Sequence, residues 1–561
     1  MAGGGLAPSY PVRMRAGVDP YSATHKPPLP PTNFARWNER GLTIERNHRI
    51  RLRDGVEIFA DIYRPEGAQQ GVPILLAWGP YGKHALTNRV FWPRSGVDPD
   101  WLSDLTAFEA PDPLFWAGHG VGVAVVDPRG AWLSGGDFHH NGAQEALDCA
   151  DTIEWLAGLP WCNGRVGMTG VSYLAAIQYL VAPLHPPALA AINPWEGFSD
   201  WYREFAYHGG IPETGFLPRA SDNIRFSLGR TEDTLENVRA HPLIDDYWLS
   251  KSYDLAAITQ PAYVVASWSD QGLHLRGTIE AWRQMRSPQK WLDIHGQKKW
   301  AHYYCPESRA RQTAFFEHFL FDRPTAVAAW SPVRIEIREQ HGVQHERAER
   351  EWPPARTAYR ELFLDPARGT LCDAAPPPSS LRQDAAHGEA HFTIRFDRPT
   401  EITGQAALRL WVEAEGSDDA DLFIALQKLD AAGQEVGFTF YAFYENGPIA
   451  LGWQRASHRE LDEALSTPER PVHRHRCEER LKPGESVPVE IEIWPFSVRF
   501  EAGESLRLVI SGRDIYRPEP GVMLPFPQHQ DTRNAGHHVF YGGGAMASRL
   551  ILPFLPASEH P

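Results

Sequence analysis

Cysteine is scarce in this chain of 561 residues, which contains only five. They stand far apart, without any C-x-x-C pair: Cys149, Cys162, Cys305, Cys372 and Cys477. A disulfide framework needs paired cysteines, and a structural zinc site needs clustered ones. In the imidazole-rich run from His473 to Cys477, arginines alternate with the histidines and would repel a cation. We therefore expect neither disulfides nor a metal site.

Long apolar runs and an excess of positive charge are also missing. No stretch approaches the roughly 20 apolar residues that a membrane-spanning helix requires. Met1 to Arg36 is rich in Gly and Pro and lacks the apolar core of a secretion signal, so we expect a cytoplasmic protein with no membrane partner. Lys and Arg number 55 against 70 Asp and Glu, for a formal net charge of -15. Binding of nucleic acid needs clustered Lys and Arg along one surface, and this composition does not favour such a surface. We therefore expect no nucleic-acid binding.

The composition that remains is that of a large globular protein. Hydrophobic residues make up 42% of the chain, including 20 Trp, 26 Phe and 18 Tyr. A chain of this length exceeds one usual core, and two or three domains are expected. Residues 1–40 are predicted to be a flexible N-terminal segment.

The pattern of residues 41–195 predicts an α/β sheet. Alternating apolar runs flank Asp54-Gly55 and indicate a β-hairpin. Continuous apolar runs at Val72 to Trp78 and Gly120 to Val126 are typical of buried strands. Gln144 to Leu156 has helical spacing, and the extended run Trp161 to Met168 follows it, which together suggest a βαβ unit.

Ser172 follows that last strand in the run Val166 to Ile177, VGMTGVSYLAAI. The run predicts a strand, a tight turn and a helix, a geometry that exposes a serine hydroxyl at the start of the helix. Gly170 and the small Ala175 leave room for the close crossing. The backbone N–H of Tyr173 would point at an oxyanion forming beside Ser172. Alone, a G-x-S-x-x-A pattern is weak evidence, since Gly and Ser also mark turns.

Further motifs in the same order resemble the cocaine-esterase-like (CocE/NonD) and X-Pro dipeptidyl-peptidase-like (peptidase S15) serine hydrolases. The resemblance extends over roughly residues 45 to 555. Its motifs are Asp54-Gly55-Val56, Pro80-Tyr81-Gly82-Lys83, Asp127-Pro128-Arg129-Gly130 with Ser134-Gly135-Gly136, and the Ser172 turn. It implies an α/β-hydrolase fold with a helical cap insertion, plus a C-terminal all-β jelly-roll (galactose-binding-like) sandwich. It also implies that the Tyr81 hydroxyl is the second oxyanion donor, beside the Tyr173 N–H. Asp127 and Arg129 we interpret as an ion pair that braces the next loop.

The acid and the base should follow later strands, because the triad of this fold runs Ser, Asp, His along the chain. Asp270 stands in a turn after the strand Ala262 to Trp268 and fits the family's W-x-D pattern. Two histidines compete as the base. His295 ends the next strand directly and is favoured on that ground, whereas His302 fits the family's W-x-H pattern through Trp300. We interpret His274 as a supporting neighbour of Asp270.

The remaining chain divides by pattern. Residues 41–195 and 257–330 are predicted to form the two parts of the α/β-hydrolase domain, and residues 196–256 the helical cap. The cap aromatics from Trp195 to Tyr207 are candidate pocket walls. Residues 331–561 change to period-two strands such as Val333 to Arg338 and predict the sandwich. The sandwich is expected to wall one side of the pocket, and self-association as a homodimer stays open.

Together these features predict a serine hydrolase that cleaves an acyl ester or amide through a Ser-His-Asp triad and an acyl-enzyme. Its substrate would be a small-molecule acyl ester or a short peptide, and no cofactor is required. Two alternatives stay open within the enzymes, an X-Pro dipeptidyl-peptidase and an α-amino-acid ester hydrolase. A peptidase would need carboxylates for a free amine, for which Glu196, Asp200, Glu204 and Glu213 are candidates. A non-catalytic binding protein that uses the β-sandwich is the alternative of another class.

Overall fold

The computed structural model describes residues 10–22, 33–84, 95–516 and 527–556. An α/β region built on one large sheet is followed by a region made almost wholly of strands. No helix within the described ranges combines the length and the apolarity that crossing a membrane requires.

The sheet of the α/β region is parallel in its middle and antiparallel at its ends. The predicted hairpin is present, with Gly55 at φ 88° in its turn. Neighbours in the sheet follow this order: Ala35–Glu39, Leu42–Arg51, Glu57–Pro65, Gly122–Asp127, Val72–Trp78, Cys162–Val171, Leu189–Trp195, Ala262–Ser267, Lys290–His295, Val333–Gln340 and Val343–Glu349. The strands from Gly122–Asp127 to Val333–Gln340 are mutually parallel. Their carboxyl ends therefore meet at one edge.

Helices cover both faces of this sheet, which is why its central strands read as continuous apolar runs. Ile74 and Leu76 pack on one side and Leu75 and Ala77 on the other, all fully buried. The helices of the α/β region are Pro113–Gly118, Ala143–Ala157, Tyr173–Val181, Leu275–Gln284, Lys299–Tyr304 and Pro306–Phe321. Shorter 3-10 turns occupy Pro20–Ser22, Pro99–Trp101, Ala182–Leu184, Leu255–Ala257 and Ala326–Ala329.

The insertion after Trp195 is helical, as expected, but it also contains short strands that we did not predict. Its helices are Phe216–Asn223, Thr234–Ala240 and Asp246–Leu249, with a π-helical turn at Tyr202–Ala206. Tyr207–His208 pairs with Ile211–Pro212, and Arg230–Glu232 pairs with Met14–Ala16 from the N-terminal segment.

The prediction that residues 1–40 are flexible is therefore wrong for two stretches. Met14–Ala16 pairs with the cap, and the backbone N–H of Arg13 donates to Asn237 Oδ1 at 2.9 Å. Ala35–Glu39 forms an edge strand of the main sheet. These backbone pairings supply an order that composition alone does not reveal. Residues 1–9 and 23–32, which fall under the same prediction, lie outside the described residues.

The C-terminal region is β-rich, with two sheets that pack over a shared core and are joined where Ala358–Asp365 pairs with Thr370–Cys372. One sheet contains Ala358–Asp365, Ser379–Asp384, Thr400–Glu415, Ser486–Phe500, His537–Gly542 and Arg549–Leu555. The other contains Thr370–Cys372, Glu389–Arg395, Asp421–Leu429, Glu435–Val436, Ala450–Arg455 and Ser505–Ser511. A separate hairpin joins Phe438–Phe440 to Tyr444–Gly447, and 3-10 turns lie at Ala456–His458 and Gly544–Met546. Alternate residues such as Leu408, Leu410, Leu506 and Leu508 fill the core.

Val333–Gln340, which we expected to open the sandwich, joins the central sheet instead. Its Val333 and Ile335 lie opposite Leu292 and Ile294 of the parallel strand Lys290–His295. Its one backbone pairing with the sandwich joins Arg338 to Val498, and the Arg338 side chain also donates to the carbonyls of Ser497 and Ile449. The short alternating pattern cannot distinguish an added sheet strand from the first strand of a new domain.

Candidate active site

Ser172 lies in a strained turn between the strand Cys162–Val171 and the helix Tyr173–Val181. Its φ of 61° and ψ of -114° are unfavourable for a residue with a side chain. The turn is held because Ser172 N–H donates to the carbonyl of Trp195 at 3.0 Å. A Cβ at Gly170 would lie 2.5 Å from Leu174 Cβ, so the crossing needs glycine there. The predicted strand, turn and helix are confirmed.

A histidine contacts the serine, but it is His274. Ser172 Oγ lies 3.0 Å from His274 Nε2, and His274 Nδ1 lies 2.6 Å from Asp270 Oδ2. Ser172, His274 and Asp270 are 8%, 2% and 1% exposed. Because Nδ1 faces a carboxylate, it carries the proton and leaves the Nε2 lone pair toward the serine hydroxyl. This chain of contacts can remove a proton from Ser172.

The two histidines predicted as the base lie elsewhere. His295 Nε2 faces Glu196 Oε1 at 3.2 Å, and its Nδ1 accepts from the Gln297 N–H at 3.2 Å. His302 stacks on His295, with ring centroids 3.9 Å apart, and packs on Trp195. Among the described residues, neither ring has a hydrogen bond to Ser172. The prediction rested on the position of these two histidines after a late strand, and that position does not bring either of them to Ser172.

The missed signal was the spacing of Asp270 and His274. The strand Ala262–Ser267 turns tightly at its end, where Asp270 N–H donates to the Ser267 carbonyl at 3.2 Å. Leu275 N–H donates to the carbonyl of Asp270 at 3.3 Å, so the helix Leu275–Gln284 begins at once. A separation of four residues in such a turn places two side chains on one side.

Charge at the site is concentrated on Asp270 and Lys299. Lys299 Nζ lies 2.6 Å from Asp270 Oδ2. Burial raises the pKa of Asp270, but His274 and Lys299 outweigh burial and hold that pKa below its ordinary value. Burial lowers the pKa of His274 to about 4, against the raising effect of Asp270. The imidazole is therefore neutral at pH 7, as a general base must be.

Tyr81, predicted as an oxyanion donor, lies in the same site as Ser172. The phenol lies near the Ser172 hydroxyl, and burial together with Glu109 raises the pKa of the phenol, which keeps its proton. The ring packs edge-on against Phe108 and Tyr173, at centroid distances of 5.0 and 6.4 Å. The Tyr173 N–H is the first backbone donor of its helix, and helix geometry leaves such a donor without an intrahelical acceptor.

The loop that carries Tyr81 is fixed from behind by a buried polar network. The N–H of Lys83 donates to Asp127 Oδ1 at 2.7 Å, and Lys83 Nζ donates to Asn47 Oδ1 at 2.7 Å. His84 Nδ1 lies 2.8 Å from Asp61 Oδ2 in the same network. These bonds hold the loop to neighbouring strands.

The predicted ion pair between Asp127 and Arg129 is wrong. Arg129 makes its ion pairs with Asp148 at 2.6 Å and with Asp54 at 2.8 Å. Asp127 instead accepts from the Lys83 N–H, and burial raises its pKa to about 6. The two side chains are separated by Pro128 at a strand end and face different neighbours.

One of the cap aromatics that we predicted as pocket walls, Phe198, lies beside His274. Phe198 stacks on His274, with ring centroids 6.1 Å apart, and packs on Trp201 and Phe205. Tyr202 and Tyr207 instead stack on each other and donate to cap carbonyls, so they belong to the cap core.

The strand-rich region holds the loop that carries Asp270. Tyr441 N–H donates to the Ser269 carbonyl at 2.7 Å, and Leu451 N–H donates to Gln271 Oε1 at 3.2 Å. Arg276 binds Glu492 at 2.9 Å. The C-terminal region therefore holds the segment that carries Asp270 and His274. In the part of the chain that the structure describes, no group of three or more His, Cys, Asp or Glu side chains could hold a metal ion.

Known proteins share both regions. The X-Pro dipeptidyl-peptidase (S15 family) matches residues 54–222 and 217–304, and the X-Pro dipeptidyl-peptidase C-terminal non-catalytic domain matches residues 326–551. Cocaine esterase from Rhodococcus sp. (strain MB1 Bresler) is 27% identical over 473 residues, which are 67% of this chain and 79% of that protein.

Solved structures are also similar to this chain over most of its length. A CocE/NonD family hydrolase from Staphylococcus aureus is 37% identical, with a TM-score of 0.89 over 92% of this chain and 94% of that one. An α-amino acid ester hydrolase shares the fold at a TM-score of 0.69 and 17% identity, covering 96% of this chain and 100% of that one. This chain belongs to the CocE/NonD family of hydrolases, within the serine esterases and S15 peptidases, and is an enzyme with esterase or peptidase activity.

Proposed function

We propose that the enzyme cleaves acyl esters through a covalent acyl-enzyme on Ser172, with His274 as general base and Asp270 orienting it. The observation that carries this proposal is the continuous hydrogen-bonded path from Ser172 Oγ to His274 Nε2, and from His274 Nδ1 to Asp270 Oδ2. The order of strands in the sheet and the serine at a strand-to-helix turn also support an α/β-hydrolase fold. A jelly-roll path for the C-terminal strands stays a prediction.

In the first step His274 Nε2 takes the proton of Ser172 as Oγ attacks the acyl carbonyl. The carbonyl oxygen becomes an oxyanion, which the Tyr81 O–H and the Tyr173 N–H would stabilise. The C–O bond to the leaving alcohol then breaks, and the imidazolium returns its proton to that alcohol. Water attacks the acyl-enzyme in a second cycle, with His274 again taking a proton, and releases the carboxylic acid and free Ser172.

The buried carboxylates favour an ester over a substrate with a free amine. A peptidase site needs a carboxylate free to hold an ammonium group. Glu204 is bound by Arg276 at 2.8 Å and Asp200 by Arg203 at 2.5 Å. Each therefore already has a cationic partner.

The other two predicted carboxylates are engaged as well. Glu213 accepts from the backbone N–H groups of Gly215, Phe216 and Leu217. Glu196 faces His295, and burial raises its pKa well above the ordinary value. A protonated carboxyl is a poor ligand for an ammonium group. We therefore rank an acyl-esterase above an X-Pro dipeptidyl-peptidase or an α-amino-acid ester hydrolase.

The test is trapping of the intermediate. p-Nitrophenyl butyrate, mixed with the enzyme and quenched in acid within the first turnover, should leave a butyryl group on the peptide that contains Ser172. Mass spectrometry of the digest locates it, and Ser172→Ala is the control. Turnover of the ester without any acyl group on Ser172 would refute the covalent mechanism. Faster cleavage of an amino-acid p-nitroanilide than of its N-acetylated form would reverse the substrate ranking.

A further inference from the structure

Lys299 lies inside the proposed catalytic group although no triad needs a lysine. It begins the helix Lys299–Tyr304 and is 5% exposed. Its Nζ lies 2.6 Å from Asp270 Oδ2, 2.8 Å from His274 Nδ1 and 3.8 Å from Glu196 Oε2. The adjacent Lys298 points outward and pairs at 2.7 Å with the exposed Glu445.

We propose that Lys299 is a positioning residue that shares Asp270 Oδ2 with the His274 Nδ1–H and keeps the resting imidazole neutral, so that the enzyme stays active in mild acid. The inference rests on the proposed function, because it concerns the same base. It adds a fixed cation to the proposed acid and base.

The contacts of Lys299 indicate which ring nitrogen of His274 carries the proton. An ammonium group has only donors, and an ionised carboxylate oxygen can accept two hydrogen bonds. Lys299 Nζ and His274 Nδ1 each lie 2.6 Å from Asp270 Oδ2, and we assign both as donors to that oxygen. His274 is then held with its proton on Nδ1 and its lone pair on Nε2, toward Ser172.

The charges around His274 explain why the lysine matters for acid tolerance. The groups that face the imidazole are Asp270, Lys299 and the Ser172 hydroxyl, with Phe198 on the ring face. A cation this close opposes protonation of the ring, as the lowered pKa of His274 reflects, after burial.

The carboxyls behind Lys299 do not cancel its charge. Burial raises the pKa of Glu109 to about 8, so this carboxyl holds its proton at pH 7, and burial also raises the pKa of Glu196 well above its ordinary value. Burial lowers the pKa of Lys299, but Asp270, followed by Glu196 and Glu109, outweighs burial and keeps the ammonium charged. The resting site then holds one cation and one anion. When His274 takes the serine proton, the new imidazolium is matched by the new oxyanion, and the buried site stays neutral throughout.

The experiment is the pH profile of kcat/KM for p-nitrophenyl butyrate, which reports the pKa of the base in the free enzyme. The base must be neutral, so activity is present above its pKa and is lost as pH falls through it. In the wild type we expect the acid limb near pH 4. In Lys299→Gln, which keeps a donor but removes the charge, the limb should rise by about one to three pH units. Lys299→Arg, which keeps the charge, and the outward-facing control Lys298→Gln should retain the low limb.

Each sample is returned to pH 7 and assayed again, which separates titration from acid unfolding. An unmoved limb in folded Lys299→Gln would overturn the proposal. Should that variant not fold, ring-labelled histidine NMR of the wild type, assigned with His274→Gln, replaces it. A neutral His274 ring at pH 5 supports the role, and a ring that titrates at its ordinary pKa refutes it. Failure of the proposed function looks different, because His274→Ala would then keep full activity.

Discussion

Two loops leave neighbouring parallel strands at the same sheet edge, yet they do different things. Ser267 and His295, the last residues of the two strands, lie opposite each other. The loop after Ser267 turns tightly and brings Asp270 and His274 to Ser172. The loop after His295 enters the helix Lys299–Tyr304 and brings Lys299, not a histidine, to Asp270.

Nearness to a strand end does not by itself select a base. Both loops contain histidines that sequence order allows. The local turn decides, because the helix Leu275–Gln284 starts one residue after His274, whereas the second helix turns His302 toward His295 and Trp195. We therefore expect the two loops to respond differently to substitution.

The largest difference in activity should be between the variant that loses His274 and the variant that loses His295. His274→Ala removes the group that contacts Ser172 and should lower kcat/KM for p-nitrophenyl butyrate about 10⁴-fold or more. His295→Ala should stay within about tenfold of the wild type, since its partner is Glu196. The reverse ranking in steady-state assays of folded variants would assign the base to the second loop.

An intermediate effect is expected outside both loops, at Tyr81. Tyr81→Phe removes the phenolic donor and should lower kcat about 10²–10³-fold with little change in KM. Tyr303→Phe is the matched control, because the Tyr303 hydroxyl lies 3.2 Å from Thr169 Oγ1, within the sheet core. Equal losses in kcat from the two variants would mean that Tyr81 acts only through packing.

The smallest effect on activity should come from His295→Gln, which sharpens the contrast between the loops. The hydrogen bond to the buried Glu196 is weakened, so the free energy of unfolding should fall by about 1–3 kcal/mol. Activity at pH 7 should change less than about threefold. Urea unfolding at matched protein concentration measures the first quantity. A stable variant without activity would contradict a structural role for His295.

Much of the fold follows from local patterns. The helix predicted over Gln144 to Leu156 is observed as Ala143–Ala157, and the strand before Ser172 is present. Such elements are predictable because periodicity and turn residues are local. Order in Met14–Ala16 was not predictable, because its pairing partner Arg230–Glu232 is more than 200 residues away.

The candidate site was predictable only in part, for the same reason. Ser172, Asp270 and Tyr81 follow from motifs that each lie on one strand end, and the structure brings all three together. The choice of His274 over His295 follows from the tight turn after Ser267, for which the four-residue spacing of Asp270 and His274 was the only signal along the chain. A lysine is ordinarily expected at the surface, so the burial of Lys299 beside Asp270 is visible only in the folded structure.

The most direct test of the central claim is stoichiometric labelling with a fluorophosphonate, mapped by peptide mass spectrometry. The account predicts one label on the peptide with Ser172, none in Ser172→Ala, a lost or strongly slowed label in His274→Ala, and normal labelling in His295→Ala and His302→Ala. Labelling that survives His274→Ala but is lost with His295→Ala or His302→Ala would contradict the assignment of the base. No label on the folded wild type would contradict the serine nucleophile itself.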